Sequence, residues 1–296
     1  MHDMKRRKII TEGFKGISIL GVASCSNSKA ILTDKNFTSE RDKLKGKVQH
    51  SVCKWCYKMP LEELAEAAQE IGMKSIELLD PAEWAVVKKY GLTCAISNGA
   101  NLGIPHGFNN PKNHEELIRQ YKSLIPQAAD QGIKQIICFS GNKDGMSYED
   151  GLENCAQGLE PLMTLAEQHD VKIVMELLNS KIDHHDYMCD HTAWGAQLVE
   201  KLGSSQFSLL YDIYHMQIME GDVIRTIRNN HQYISHYHTG GVPGRNEIDH
   251  SQELYYPAIV QAIYDTGYEG YVSQEFIPKG PVPLESLQQG VMICDV

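Results

Sequence analysis

Past its N-terminal segment, the 296-residue chain has no run of 18 or more apolar residues, which excludes a polytopic membrane protein. Positive charge is also scarce. Lys and Arg number 28 against 38 Asp and Glu, a formal net charge of −10, with the acidic excess spread along the chain. That balance argues against a nucleic-acid partner. No Gly-rich dinucleotide fingerprint follows the first strand-like run, which counts against an open doubly wound sheet with a nucleotide site. Internal repeats and low-complexity blocks are missing too. Eight cysteines are present, but without a disulfide-framework spacing: after Cys25 an odd seven remain. Cys53 and Cys56 form a lone CxxC with no second pair, expected to be core thiols rather than a zinc site.

The N-terminus does carry positive charge. Lys5-Arg6-Arg7-Lys8 precedes a modestly apolar run from Ile9 to Leu20, followed by Val22-Ala23-Ser24-Cys25. A basic stretch, a short apolar stretch and small residues at a cleavage point make an export signal over residues 1–24. The paired arginines resemble a twin-arginine address, and the last four residues resemble a lipobox with Cys25 as the lipidated residue. Residues 25–47 are polar and expected to be a flexible tether. On this reading the protein is an exported, periplasmic lipoprotein, touching the membrane only through its anchor. The alternative is a basic tail on a cytoplasmic enzyme.

From His50 onward, short apolar runs alternate with longer amphipathic segments. Strands are expected at HSVCKWCY, KSIELLD, LTCAISN, KQIICFS, VKIVMELLN, FSLLYD, YISHYHTG and GYVSQEF. Between them lie helical patterns. Pro60 opens a segment with Leu61, Leu64, Ala65 and Ala68 at helical spacing. Gly91 closes another, Pro126 is expected to kink a third, and residues 216–229 are expected to form one helix. Eight strand–helix units over roughly 245 residues match a (β/α)8 TIM barrel, an α/β fold, spanning residues 48–296.

The last four expected strands each end in a polar residue: Glu176 in IVMELLN, Asp212 in SLLYDIYH, His238 in ISHYHTGG and Glu275 in YVSQEF. In a barrel, C-terminal strand ends project into a shared mouth. Three hard carboxylates and one imidazole there suit a divalent ion, Mn2+ or Mg2+ before Co2+ or Zn2+. Any one of them alone has an ordinary explanation, such as a helix cap or a hydrogen-bonded core histidine. Four in matching positions point to a metal site. Six further residues are expected to bind substrate: His215 one turn past Asp212, Arg245 and Glu247 in the loop after the seventh strand, Glu77 near the end of the second, Lys54 in the first, and His106 in the long loop after the third. A planar guanidinium at Arg245 suits a substrate carboxylate or hydroxyl.

YDIYHMQ, HTGGVPGRNEID and the final QEF resemble motifs of the sugar isomerase/epimerase superfamily of xylose-isomerase-like TIM barrels. The hydroxypyruvate isomerase family is the nearest in pattern, over nearly all of residues 50–296. The resemblance implies that Glu176, Asp212, His238 and Glu275 hold the metal. His238 matches the ketose-epimerase branch, whereas the VPGR loop matches the hydroxypyruvate branch. It further implies proton abstraction beside a carbonyl through a metal-held cis-enediolate, with Glu176 and Glu275 as acid and base and His215 and Arg245 positioning substrate oxygens. The expected function is a metal-dependent isomerase or epimerase of a small hydroxy-keto acid or keto sugar. Three alternatives remain: a lyase or hydratase on 3-keto glycosides, a non-catalytic sugar-binding lipoprotein, and a metal-dependent endonuclease. The partner is expected to be a small molecule, with self-association left open.

Overall fold

The computed structural model describes residues 44–296. The expected export signal over residues 1–24, the expected lipidation at Cys25, and residues 25–43 of the tether expected over 25–47 lie outside the described residues. Among those described, seven parallel strands are named: β1 (Gln49–Cys53), β2 (Ser75–Glu77), β3 (Gln135–Cys138), β4 (Lys172–Glu176), β5 (Phe207–Asp212), β6 (Ile234–Thr239) and β7 (Tyr271–Gln274). They are hydrogen-bonded in the order β2-β1-β7-β6-β5-β4-β3.

The third expected strand, LTCAISN, is present only as isolated bridges, Ser75 to Thr93, Leu79 to Ser97 and Ser97 to Ile136. It still closes the ring. On one side Ile76 and Leu78 donate their N–H groups to Thr93 and Ile96, and on the other Ser97 and Ile137 exchange bonds with Gln135 and Ser97. A regular ladder fails because a side chain competes for the backbone: the N–H of Ala95 donates to Ser75 Oγ at 2.8 Å.

Helices α1 (Leu61–Ile71), α2 (Trp84–Lys88), α3 (Pro111–Asp130), α4 (Tyr148–His169), α5 (Thr192–Leu202), α6 (Ile213–Met219), α7 (Val223–Asn230), α8 (Tyr256–Asp265) and α9 (Pro283–Cys294) alternate with the strands. In α1 the apolar stripe Leu61, Leu64, Ala65 and Ala68 is buried. Helix α3 runs through Pro126 without a break. The single helix expected over residues 216–229 is instead two. Gly221 (φ 65) and Asp222 (φ 45) adopt left-handed backbone between α6 and α7, a conformation that ends a right-handed helix. None of the described helices is long and apolar enough to cross a membrane.

Alternation along the strands divides two cores. Met175, Leu209, Tyr211, Tyr237 and Val272 belong to the large cluster shared with the helices, whereas Ile96, Ile137, Val174 and Leu210 form a small separate cluster. With a period of two, Val174 and Glu176 share one face of β4, and Leu210 and Asp212 share one face of β5. The small cluster therefore fills the barrel interior, and the strand-end carboxylates stand directly above it. All seven cysteines among the described residues are free and buried, as expected of core thiols.

Candidate functional site

Register brings the four strand-end residues together. Asp212 of β5 pairs in register with His238 of β6, and His238 with Ser273 of β7, two residues before Glu275. Partners in parallel register point to the same face, here the interior. Glu176, Asp212, His238 and Glu275 offer ligand atoms that all lie within 4.8 Å of one another, and all four are buried. Glu176 Oε1 is buried without a hydrogen-bond partner, leaving a lone pair free. Three hard oxygen donors, one imidazole nitrogen and an unsatisfied carboxylate oxygen fit a divalent cation.

His238 is oriented from below. Its Nε2 lies 2.8 Å from Glu77 Oε1, which also receives His236 Nε2 at 2.8 Å. A carboxylate only accepts, so Nε2 carries a proton and Nδ1 is the atom turned toward Glu275 Oε2, at 2.6 Å. Burial disfavours the imidazolium, but the Glu275 charge outweighs it and holds His238 well above the usual histidine range. A cation at this site therefore competes with the Nδ1 proton. Glu77 is pulled the opposite way: burial raises it, yet His236 and His238 hold it well below the ordinary carboxylate value.

Arg245 covers the cluster. Its Nη2 donates to Asp212 Oδ2 at 2.8 Å and to Glu275 Oε2, and the guanidinium lies between the rings of Trp55 (5.2 Å) and Tyr214 (5.3 Å). Its backbone has φ 56, a left-handed conformation uncommon for a non-glycine residue. The turn closes through Gly241, which bonds Asn246 and Arg245; a Cβ there would lie 2.2 Å from the Glu247 carbonyl. The carboxylates differ accordingly. Burial and then the Glu275 charge push Glu176 up, and burial pushes Asp212 up despite Arg245. Burial also opposes ionisation of Glu275, but Arg245 and His238 hold it well below the usual range.

His215 stands beside Asp212. Its Nδ1 faces the Asn179 side-chain amide at 2.6 Å and receives the Asn179 backbone N–H at 3.2 Å. Burial, with Arg245 next, holds its pKa well below the usual value, so the ring is neutral. The proton sits on Nε2, a buried donor without a partner, 3.6 Å from Asp212 Oδ2.

Of the six residues expected to bind substrate, His215 and Arg245 are brought to this cluster and four are not. Lys54 pairs with Glu83 at 3.1 Å. The carboxylate of Glu247 anchors another loop, accepting from the N–H groups of Lys279 and Gly280 and from Ser286 Oγ. His106 is exposed in the loop before α3. Glu77 is fully buried beneath His238 rather than facing a cleft. Trp55, which no sequence pattern marks, donates Nε1–H to Glu275 Oε1 at 2.8 Å. After Cys53 the chain turns into a short 3-10 helix over Lys54–Cys56, which replaces the strand's alternation. Asn179, Asp183 and Tyr214 are likewise brought to the site without being expected there from sequence. Tyr214 lies inside the YDIYH motif, and its hydroxyl donates to Asp183 Oδ2 at 2.9 Å.

Above the cluster opens a cleft of about 560 Å³, lined by Trp55, Asp183, Tyr214, Arg245 and several aliphatic side chains.

Comparison with known proteins agrees with this architecture. The chain is 27% identical over 237 residues to a Homo sapiens protein provisionally named as a hydroxypyruvate isomerase, covering 76% of this chain and 78% of that one. The crystal structure of an AP endonuclease, family 2, from Brucella melitensis superposes with a TM-score of 0.71 at 22% identity, covering 82% of this chain and 96% of that one. A 3-keto-D-glucoside 4-epimerase from E. coli superposes with a TM-score of 0.70 at 17% identity, covering 83% and 98%. At those identities the two structures speak for the fold. The model of the family described as "Xylose isomerase-like TIM barrel" matches residues 65–291, and the chain belongs to that family.

Proposed function

We propose that this chain is a divalent-metal-dependent isomerase or epimerase acting on a small hydroxy-keto acid or keto sugar. One observation carries the reading: four buried ligand residues converge at the C-terminal mouth of a barrel, under an open cleft. The name given to the human relative supports the same reaction class.

Glu176, Asp212, Glu275 and Nδ1 of His238 would hold the ion. When bound, it would polarise adjacent carbonyl and hydroxyl oxygens of the substrate and acidify the C–H between them. Glu275 is the base. Trp55 and Arg245 fix its two oxygens, and Arg245 with His238 keeps it ionised, the form a base requires. Glu176, across the cluster, gives a proton back. Return to the neighbouring carbon, with the hydroxyl proton passing to the former carbonyl oxygen, completes an isomerisation, and return to the opposite face of the same carbon completes an epimerisation. His215 donates its Nε2–H to a substrate oxygen, with Asn179 holding the ring in that tautomer. A positioned carboxylate contributes ~10²–10⁴-fold to proton transfer.

The test is solvent-deuterium uptake, followed by NMR in D2O with a panel of ketoses and hydroxypyruvate. Glu275→Gln should lower uptake by roughly 10²-fold or more, with an unchanged circular dichroism spectrum. Wild-type-like exchange in that variant would remove Glu275 as the base.

A further inference from the structure

Just below the mouth a second set of donors converges. Glu77 of β2, Cys53 of β1, Ser273 of β7 and His238 of β6 come from strands adjacent in the sheet, with Cys53 in register with Glu77 and His238 with Ser273. All four side chains are fully buried. Cys53 Sγ lies 3.7 Å from Glu77 Oε1, 3.9 Å from His238 Nε2 and 3.5 Å from Ser273 Oγ. A core thiol is ordinarily a small hydrophobe. This one instead faces an imidazole nitrogen and a carboxylate with an oxygen to spare. Oε1 of Glu77 serves both His236 and His238, whereas Oε2 is buried without a hydrogen-bond partner. A buried lone pair left unused calls for a ligand.

Spacing and softness both suit a cation. Cys53, Glu77 and His238 offer ligand atoms within 4.8 Å of one another. Around a tetrahedral ion with bonds of ~2.0–2.3 Å, neighbouring ligand atoms stand roughly 3.3–3.8 Å apart. The separations of Cys53 Sγ from Oε1 and from Nε2 are already close to that. The third, 2.8 Å between Oε1 and Nε2, is a hydrogen bond that opens once an ion replaces its proton. A thiolate with an imidazole selects a softer ion than the three carboxylates at the mouth. Cys56, the other half of the CxxC pair, is carried away by the 3-10 turn and does not join the group.

We propose that Cys53, Glu77 and Nε2 of His238 form a second cation site, for a thiophilic divalent ion such as Zn2+ or Cd2+, whose occupation antagonises the ion at the mouth. On binding, Cys53 Sγ and His238 Nε2 release their protons to solvent. A neutral imidazole has one lone pair. The mouth ion uses it on Nδ1, with Nε2–H held by Glu77 at 2.8 Å. The inner ion uses it on Nε2, with Nδ1–H held by Glu275 at 2.6 Å. Filling the inner site therefore takes the nitrogen ligand from the mouth. The antagonism rests on the reading of Glu176, Asp212, His238 and Glu275 as a metal site, whereas the inner site stands without it.

Titration of the Mn2+-loaded full chain with Cd2+ tests both parts. The ultraviolet sulfur-to-cadmium charge-transfer band reports the thiolate, and electron paramagnetic resonance reports free Mn2+. In the wild type the band should saturate at a single equivalent of Cd2+, with Mn2+ released in step. Cys53→Ser should lose the band, and it should hold its Mn2+ at Cd2+ concentrations that empty the wild type. Its Mn2+ affinity without Cd2+ should be unchanged, which also shows that it folds. Cys53→Ala, without a hydroxyl in the core, should behave likewise, and Cys56→Ser should match the wild type. The inner site is overturned by a wild type without the band, or by a band that persists in both Cys53 variants. The antagonism is overturned if the band forms while Mn2+ stays bound, or if the Cys53 variants lose Mn2+ at the same Cd2+ concentration. Failure of the mouth as a metal site shows separately, as a wild type that binds no Mn2+ before Cd2+ is added, and the band at Cys53 still decides the inner site.

Discussion

At the residue scale, the pairing beneath His238 governs which ring nitrogen faces the proposed metal site. Glu77 Oε1 sits 2.8 Å from Nε2 of both His236 and His238. Such outer carboxylates fix a ligand's tautomer and ring angle, and losing one costs roughly 10–100-fold in metal affinity. Glu77→Gln keeps the size but can present an amide N–H where a lone pair was needed. It should weaken Mn2+ binding by about that factor, measured by titration of the metal-free protein. The 15N shifts of the His238 ring in the same protein should show the proton leaving Nε2. Unchanged affinity and shifts would make Glu77 a bystander. Glu77 was visible in the sequence as a strand-end acid, but its partner was not. A burial depth one layer below the mouth depends on how β2 staggers against β6, two strands that are not neighbours in the sheet. Trp55 was hidden for a local reason, the 3-10 turn that follows Cys53 and carries Lys54 away to Glu83.

At the scale of elements, apolar runs ending in one acid or histidine were enough to place four side chains. A parallel strand buried on both faces leaves few polar residues, so each one that occurs is conspicuous. Periodicity could not locate the failures. The third expected strand has the composition of a strand, yet its ladder is broken at Ala95 by Ser75 Oγ. The helix after β5 reads as continuous in sequence, yet the left-handed residues Gly221 and Asp222 divide it. Both outcomes come from single polar or turn-forming residues inside otherwise consistent patterns. The Ser75 contact has a measurable consequence. Ser75 is fully buried, so Ser75→Ala leaves the Ala95 N–H without its acceptor inside the protein. The cost should be about 1–3 kcal/mol, seen as a lower urea midpoint with an unchanged m-value. A midpoint equal to that of the wild type would mean the bridging segment does not depend on this bond.

At the scale of the whole molecule, the ring joins the two ends of the described chain. Lys45 donates its backbone N–H to Asp295 Oδ2 at 2.7 Å and its ammonium to the Asp295 carbonyl at 2.8 Å, so the segment before β1 is tied to the residue after α9. His50, in β1, lies against the same carboxylate, with Nε2 3.8 Å from Asp295 Oδ1, and neither ring nitrogen has a hydrogen-bond partner. Burial lowers its pKa from the usual 6.5, and Asp295 only partly opposes that. The unfolded chain, with an unperturbed histidine, therefore binds the proton more readily than the folded one. The sign of the linkage follows. The stability from burying neutral His50 is fully present above about pH 6.5, and it is lost as pH falls from there through the lowered folded value. His50→Gln removes the titration but keeps a polar side chain of similar reach. Urea midpoints in EDTA at about pH 7.5 and about pH 5.5 separate this contribution from metal binding and, by comparison with the variant, from every other histidine. The wild type should lose more stability than His50→Gln between the two pH values, whereas equal losses would show that His50 is as easily charged folded as unfolded.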